Sequence, residues 1–109
     1  MTKDINQVSV VGNLVSDPNV FESNGREVVY LRVATGRFMS KSDRQSNSDE
    51  DLRKDTTIHE IRIFVDHIVL MAKSLKKGDR VVVWGEIRNN RDGSYIILLA
   101  PQARFYKVA

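Results

Sequence analysis

The stretch from Leu75 to Leu99 constrains the fold most. A helix tail ends at Gly78, and a β-branched run begins at Arg80. Asn90-Arg91-Asp92-Gly93-Ser94 reverses the chain, and Tyr95-Ile96-Ile97-Leu98-Leu99 returns. Two such strands joined by a short polar turn pair as a hairpin. Val81 and Val83 share one parity, while Arg80, Trp84, Glu86 and Arg88 share the other. One face of the hairpin therefore packs inward and the other carries a ring among charges. An aromatic beside arginines on an exposed strand face is suited to stacking flat rings and neutralising anions. That is binding chemistry rather than catalysis.

The rest of the chain supplies more strands and one helix. Val8, Val10, Gly12 and Leu14 alternate with Gln7, Ser9, Val11 and Asn13, the pattern of a half-buried strand. Gly12 in its middle predicts a bulge or bend of the kind barrel corners need. Asp17-Pro18 ends that strand, and Ser23-Asn24-Gly25 marks a reversal. A second strand is expected over Glu27–Arg37, with Val29, Leu31 and Val33 on one face and Tyr30 and Arg32 on the other. A third is expected over Thr57–Val65, with His59, Ile61, Ile63 and Val65 facing one way and Ile58, Glu60, Arg62 and Phe64 the other. Asp66 is placed to cap a following helix whose apolar stripe is Ile68, Met71, Ala72 and Leu75. Lys73, Lys76 and Lys77 favour its C-terminal end, and Gly78 terminates it. After the hairpin, Pro101 interrupts the last strand, and Ala103–Val108 is a final extended segment.

Strand-strand-strand-helix-strand-strand is the order of an all-β, five-stranded Greek-key barrel of the OB type, with one helix between strands three and four. The length of 109 residues fits one domain over 1–109. About 40–56 is expected as a mobile loop, since Ser40 to Asp51 contains no apolar residue. The chain has no cysteine, so a disulfide framework and a thiolate metal site are excluded. No apolar run is long enough to span a membrane, and no secretory signal is visible at the start. The expected location is cytoplasmic. The charge is uneven: residues 1–75 hold 10 Lys/Arg against 11 Asp/Glu, and residues 76–109 hold 7 against 3. A basic excess gathered on the hairpin and its surroundings implies a polyanionic partner.

The chain resembles the bacterial single-stranded-DNA-binding protein family. Asn6-Gln7-Val8-Ser9-Val10-Val11-Gly12-Asn13-Leu14 with Asp17-Pro18 is similar to that family's first strand and turn. Asn24-Gly25 and Val33-Ala34-Thr35 fit its second-strand region, and His59 with Phe64 fits its third. Leu75-Lys76-Lys77-Gly78, Val81, Gly85 and Arg88 fit the helix end and fourth strand. There are departures. Ile58 stands where the family has a tryptophan, Met39 beside Phe38 stands for a second, and the hairpin lacks a third. Trp84 occupies a position that is often polar. The aromatic set is therefore thinner, or differently placed, than the resemblance would give. The acidic tail of the family does not follow Ala109, which fits a tail-less or primosomal relative or a longer natural chain.

The resemblance implies sequence-independent binding of single-stranded DNA in replication, recombination or repair, by a homotetramer associated with the nucleoid. It implies no cofactor and no metal. Phe64 is the leading candidate for base stacking, supported by Phe38, Trp84 or Tyr95. Arg37, Lys41, Arg62, Arg88 and Arg91 are the candidates for phosphate contact. Trp84 has an alternative place in a subunit interface, and Tyr95 an alternative as cover for the barrel end. His59 reads as a core histidine and His67 as a solvated one. Two other functions fit the same barrel. One is a dimeric primosomal accessory protein that binds DNA and helicase or loader proteins; the other is a protein–protein adaptor. Replication or repair proteins are further expected partners. No nucleophile elbow, phosphate-cradling glycine loop or apparent carboxylate pair points to an enzyme.

Overall fold

The computed structural model describes residues 4–36, 56–99 and 103–108. The strands are β1 (Val8–Leu14), β2 (Asn19–Ser23), β3 (Arg26–Gly36), β4 (Thr56–Ile63), β5 (Arg80–Asn89), β6 (Tyr95–Leu99) and β7 (Arg104–Lys107). One helix, α1 (Asp66–Ala72), lies between β4 and β5. The loop expected at about 40–56 lies outside the described residues, except that Thr56 is the first residue of β4.

Pairing runs β1-β3-β4-β6-β5, and β5 pairs back to β1, so five strands close a barrel. β1 makes the closure by using two neighbours. Val8–Asn13 pair antiparallel with Gly85–Arg80 of β5, and Asn13 and Leu14 pair with Ala34 and Val33 of β3. Only a residue without a side chain can lie at the crossing. A Cβ on Gly12 would overlap the Ala34 carbonyl oxygen and meet Val33 Cγ1 at 2.9 Å. The expected bend is thus a close approach of two backbones. Gly85 performs the same service on β5, where a Cβ would lie 2.7 Å from the Leu98 carbonyl oxygen.

The alternation read from the sequence is the alternation of burial. Val29, Leu31 and Val33 of β3, Ile61 and Ile63 of β4, and Val81 and Val83 of β5 all face the sealed interior. Burying each aliphatic side chain contributes roughly 1.5–3 kcal/mol. Phe105 of β7 also joins this core. Ile68, Val69, Ala72 and Leu75 add the helix to it.

The structure corrects the sequence reading at several points. Asn19–Ser23 is a strand of its own; all five residues are exposed, so no burial period announces it. It pairs with β3 through a two-residue turn in which Asn24 (φ 54°) and Gly25 (φ 79°) are both left-handed. The third expected strand ends at Ile63, leaving Phe64 and Val65 outside it. Val65, not Asp66, occupies the helix N-cap, and no side chain caps that end. Val69 replaces Met71 on the buried stripe, and Met71 is exposed. The helix stops at Ala72, short of Gly78. There the Ser74 hydroxyl donates to the Met71 carbonyl at 2.8 Å, and the Leu75 amide bonds back only three residues, to Ala72. Gly78 (φ 94°) instead turns the chain into β5, and its amide donates to the Leu14 carbonyl at 2.9 Å. The final extended segment is β7, which pairs antiparallel with β5 at Val81–Trp84.

If the close approach at Gly12 is required for closure, Gly12→Ala should lose about 1–3 kcal/mol, the usual cost of overpacking. Urea denaturation measures this directly, and an unchanged midpoint would show that β1 has room to spare.

Candidate nucleic-acid interface

β4 and β6 run parallel for three residue pairs, from Ile61 with Ile97 to Ile63 with Leu99. Beyond that pairing an open cleft of about 820 Å³ remains. Thr57 to Glu60 of β4 line it, together with Ile87 of β5 and Asp92, Ser94, Tyr95, Ile96 and Ile97 of the hairpin; Val8 and Arg32 complete it. The lining is mostly apolar, with Arg32, His59, Glu60 and Asp92 supplying polar groups. Tyr95 is 71% exposed, so its ring is open to a ligand. His59 is half-buried and shares a 2.9 Å hydrogen bond between Nε2 and Thr35 Oγ1, which satisfies it in a structural role at the cleft wall.

The hairpin tip is braced from within. The Asn90 amide donates to the Ser94 carbonyl at 2.7 Å. Asp92 Oδ1 accepts from the Ser94 hydroxyl at 2.6 Å and from the Ser94 amide at 2.9 Å. Gly93 supplies the left-handed residue (φ 90°) that the reversal needs. The hydroxyl first, and the amide second, hold the Asp92 carboxyl below its ordinary value of 3.8. Arg91 is exposed in this braced turn, next in sequence to the cleft-lining Asp92. Arg88 is exposed on β5 opposite Ile96, and its Nη2 lies 3.2 Å from Glu86 Oε1. An exposed pair of this kind contributes about 0–1 kcal/mol, so a phosphate can compete for the guanidinium.

Beside the cleft, the outer face of β3 and β4 carries a second group. Tyr30 pairs with Arg62, and Arg32 pairs with Glu60. Arg62 Nη2 donates to Tyr30 Oη at 2.8 Å, and its Cζ stands 5.3 Å from the Tyr30 ring centroid. That is within cation–π range. The Phe21 ring lies 5.8 Å from the Tyr30 ring, tilted by 31°.

Trp84 lies on another wall. It pairs with Ser9 of β1 on one side and Arg104 of β7 on the other, and Arg104 Cζ sits 5.2 Å over its ring. Val11 (45% exposed) and Tyr106 (53% exposed) share this surface of β1, β5 and β7.

Of the sequence candidates, the structure sets Tyr95 in the cleft lining, Arg91 next in sequence to the lining residue Asp92, Arg88 opposite the lining residue Ile96, and Arg62 beside Tyr30, while Trp84 pairs with Ser9 and Arg104. Phe64 follows the last residue of β4 and is half-buried. Arg37, Phe38 and Lys41 lie outside the described residues. Sequence reasoning left out Tyr30, Arg32 and Phe21. The first two were visible as the outward parity of a strand, but their pairing with β4 depends on register. Phe21 gave no sign, because β2 was not read as a strand. Among the described residues, no group of three or more His, Cys, Asp or Glu could hold a metal ion.

The model of the single-strand binding protein family matches residues 5–93. Among solved structures, the chain is similar to the Plasmodium falciparum SSB complex with ssDNA, with 22% identity and a TM-score of 0.74 over 100% of this chain and 99% of that one. It is similar to the wild-type single-stranded DNA binding protein from Thermus aquaticus, with 24% identity and a TM-score of 0.70; the match covers 96% of this chain but only 41% of that one. A mitochondrial single-stranded DNA binding protein from S. cerevisiae gives 15% identity and a TM-score of 0.72, over 97% and 96% of the two chains. At these identities the likeness shows a shared fold.

The depressed Asp92 value fixes the sign of a pH effect. Its bonds to Ser94 add to hairpin stability above about pH 3.8 and are lost as pH falls through the lower folded value. In an NMR titration the Ser94 amide should therefore shift with a midpoint below 3.8, and Ser94→Ala should move the Asp92 midpoint upward. A midpoint at or above 3.8 in the intact chain would contradict the bracing.

Proposed function

The chain belongs to the single-strand binding protein family, and from that premise we propose that it binds single-stranded DNA without regard to sequence, in replication, recombination or repair, through the cleft between β4 and the β5–β6 hairpin. One observation carries this reading: a largely apolar cleft, open to solvent, is lined by the exposed ring of Tyr95 and by Arg32. Apolar walls and a free ring accept any base, because every base has a π-face. Arg32 in the cleft lining is the nearest cation, and Arg62, Arg88 and Arg91, with Arg37 and Lys41, are the further candidates for phosphate contact on this reading. Phe64, with Phe38, adds to the stacking surface. The family is a non-catalytic one, and this reading needs neither catalysis nor a cofactor.

Self-association as a homotetramer is assigned to the outer wall of β1, β5 and β7. Val11 and Tyr106 expose apolar surface there, next to the Trp84–Arg104 pair. On this assignment Trp84 belongs to a subunit contact rather than to the DNA path. Proteins of replication or repair are the further partners, and the cytoplasm, at the nucleoid, is the site of action.

Titration with oligo(dT) should show binding that weakens with salt, at a log–log slope of about −0.7 per neutralised phosphate. Tyr95→Ala should weaken it about ten-fold, within the ~1–3 kcal/mol that one stacked base contributes. Weak, salt-insensitive binding would defeat the reading. Light scattering should find a tetramer that Tyr106→Glu breaks into smaller species, whereas a monomeric parent chain would remove the interface assignment.

A further inference from the structure

Two hairpin tips set a glycine directly after a side-chain carbonyl. Asn24-Gly25 is the chain's one Asn-Gly pair, and Asp92-Gly93 its one Asp-Gly pair. In such pairs the glycine amide nitrogen can attack the preceding side-chain carbonyl carbon, because no Cβ on the glycine obstructs the approach. The structure protects the two pairs unequally. Asp92 is pinned by the hydroxyl and the amide of Ser94, and those bonds keep its carboxyl ionised, a form with no leaving group. Asn24 is exposed, and its side chain makes no hydrogen bond among the described residues. Nothing lies within 4 Å of where a Gly25 Cβ would stand. Three other asparagines are tied down: Asn6, Asn13 and Asn90 donate to the Ile87 carbonyl, the Gly78 carbonyl and the Ser94 hydroxyl.

The folded turn is itself a latch. With Asn24 and Gly25 both left-handed, the Gly25 nitrogen stands across the Cα–C bond from the Asn24 Cβ. Attack therefore waits for the turn to open. Opening asks little of the barrel, because β2 pairs only with β3 among the described strands and all five of its residues are exposed. Local openings of such segments cost far less than global unfolding. We propose that Asn24 is a site of spontaneous covalent modification, gated by the release of β2 from β3. The Gly25 nitrogen gives up its proton to base and bonds to the Asn24 Cγ, and ammonia leaves. Water then opens the resulting five-membered imide at either carbonyl, giving aspartate or isoaspartate at this position. Either product adds a negative charge to the turn. Isoaspartate also lengthens the main chain by one methylene, and a two-residue turn that sets strand register cannot absorb this.

The test incubates the intact chain in mildly alkaline buffer and maps its peptides by mass spectrometry. The Asn24 amide should be lost before that of any other described asparagine, and faster as pH rises. Asn24→Gln, whose ring closure would be six-membered, should abolish the loss. Phe21→Ala removes the ring beside Tyr30 from an exposed edge strand, so it weakens the latch without touching the core, and it should speed the loss. In weakly acidic buffer Ser94→Ala should bring isoaspartate to Asp92, where the parent shows none. An Asn24 that stays intact, or converts no faster than the exposed Asn19 and Asn89, overturns the site. An unchanged rate in Phe21→Ala overturns β2 as the gate. Isoaspartate at Asp92 in the parent, or none there in Ser94→Ala, overturns the contrast between the two turns.

Discussion

The barrel depends on one strand lying against two others at once. β1 can reach both β3 and β5 only because Gly12 presents no side chain to the Ala34 carbonyl. Around that point the backbone is tied off in several directions. The Leu14 amide donates to the Asp79 carbonyl, the Val15 amide to the Arg32 carbonyl, and Asn13 Nδ2 to the Gly78 carbonyl. Arg80 Nη1 in turn donates to Asn13 Oδ1. With the seam closed, the inward parity of every barrel strand meets in a single interior, and the outward parities are sorted onto separate walls.

That sorting accounts for the functional geometry. The short parallel pairing of β4 with β6 opens a cleft where it stops. The braced hairpin holds Tyr95 and Arg91 at its edge, and the β3–β4 register sets Arg62 beside Tyr30. Trp84 is drawn away from this set by its own register, which gives it Ser9 and Arg104 as neighbours. Two surfaces of similar chemistry, each a ring with an arginine over it, thus serve different walls.

Local features were legible in the sequence where a period or a turn carried them. Ile61, Ile63, Val81 and Val83 follow strict alternation, and the reversals at Asn24-Gly25 and Asn90–Ser94 are set by residues suited to left-handed or side-chain-braced turns. β2 escaped because an edge strand exposed along its whole length has no buried face to mark it. The helix was read too long, because its lysines and glycine describe a plausible end while the actual end is set by Ser74 competing for the Met71 carbonyl. The Tyr30–Arg62 and Trp84–Arg104 pairs were beyond reach: each joins strands whose relative register only the folded sheet determines.

The seam also orders events in time. The side chains of Asn13 and Arg80, joined in the folded barrel, are 67 residues apart in sequence. A growing chain releases β1 long before any of β5 exists, so the strand made first is among the last to find its partner. Contacts of such long range slow folding, and an unpaired strand edge is a template for other chains meanwhile. The nascent protein thus passes through a period in which its earliest segment is the one most in need of shelter.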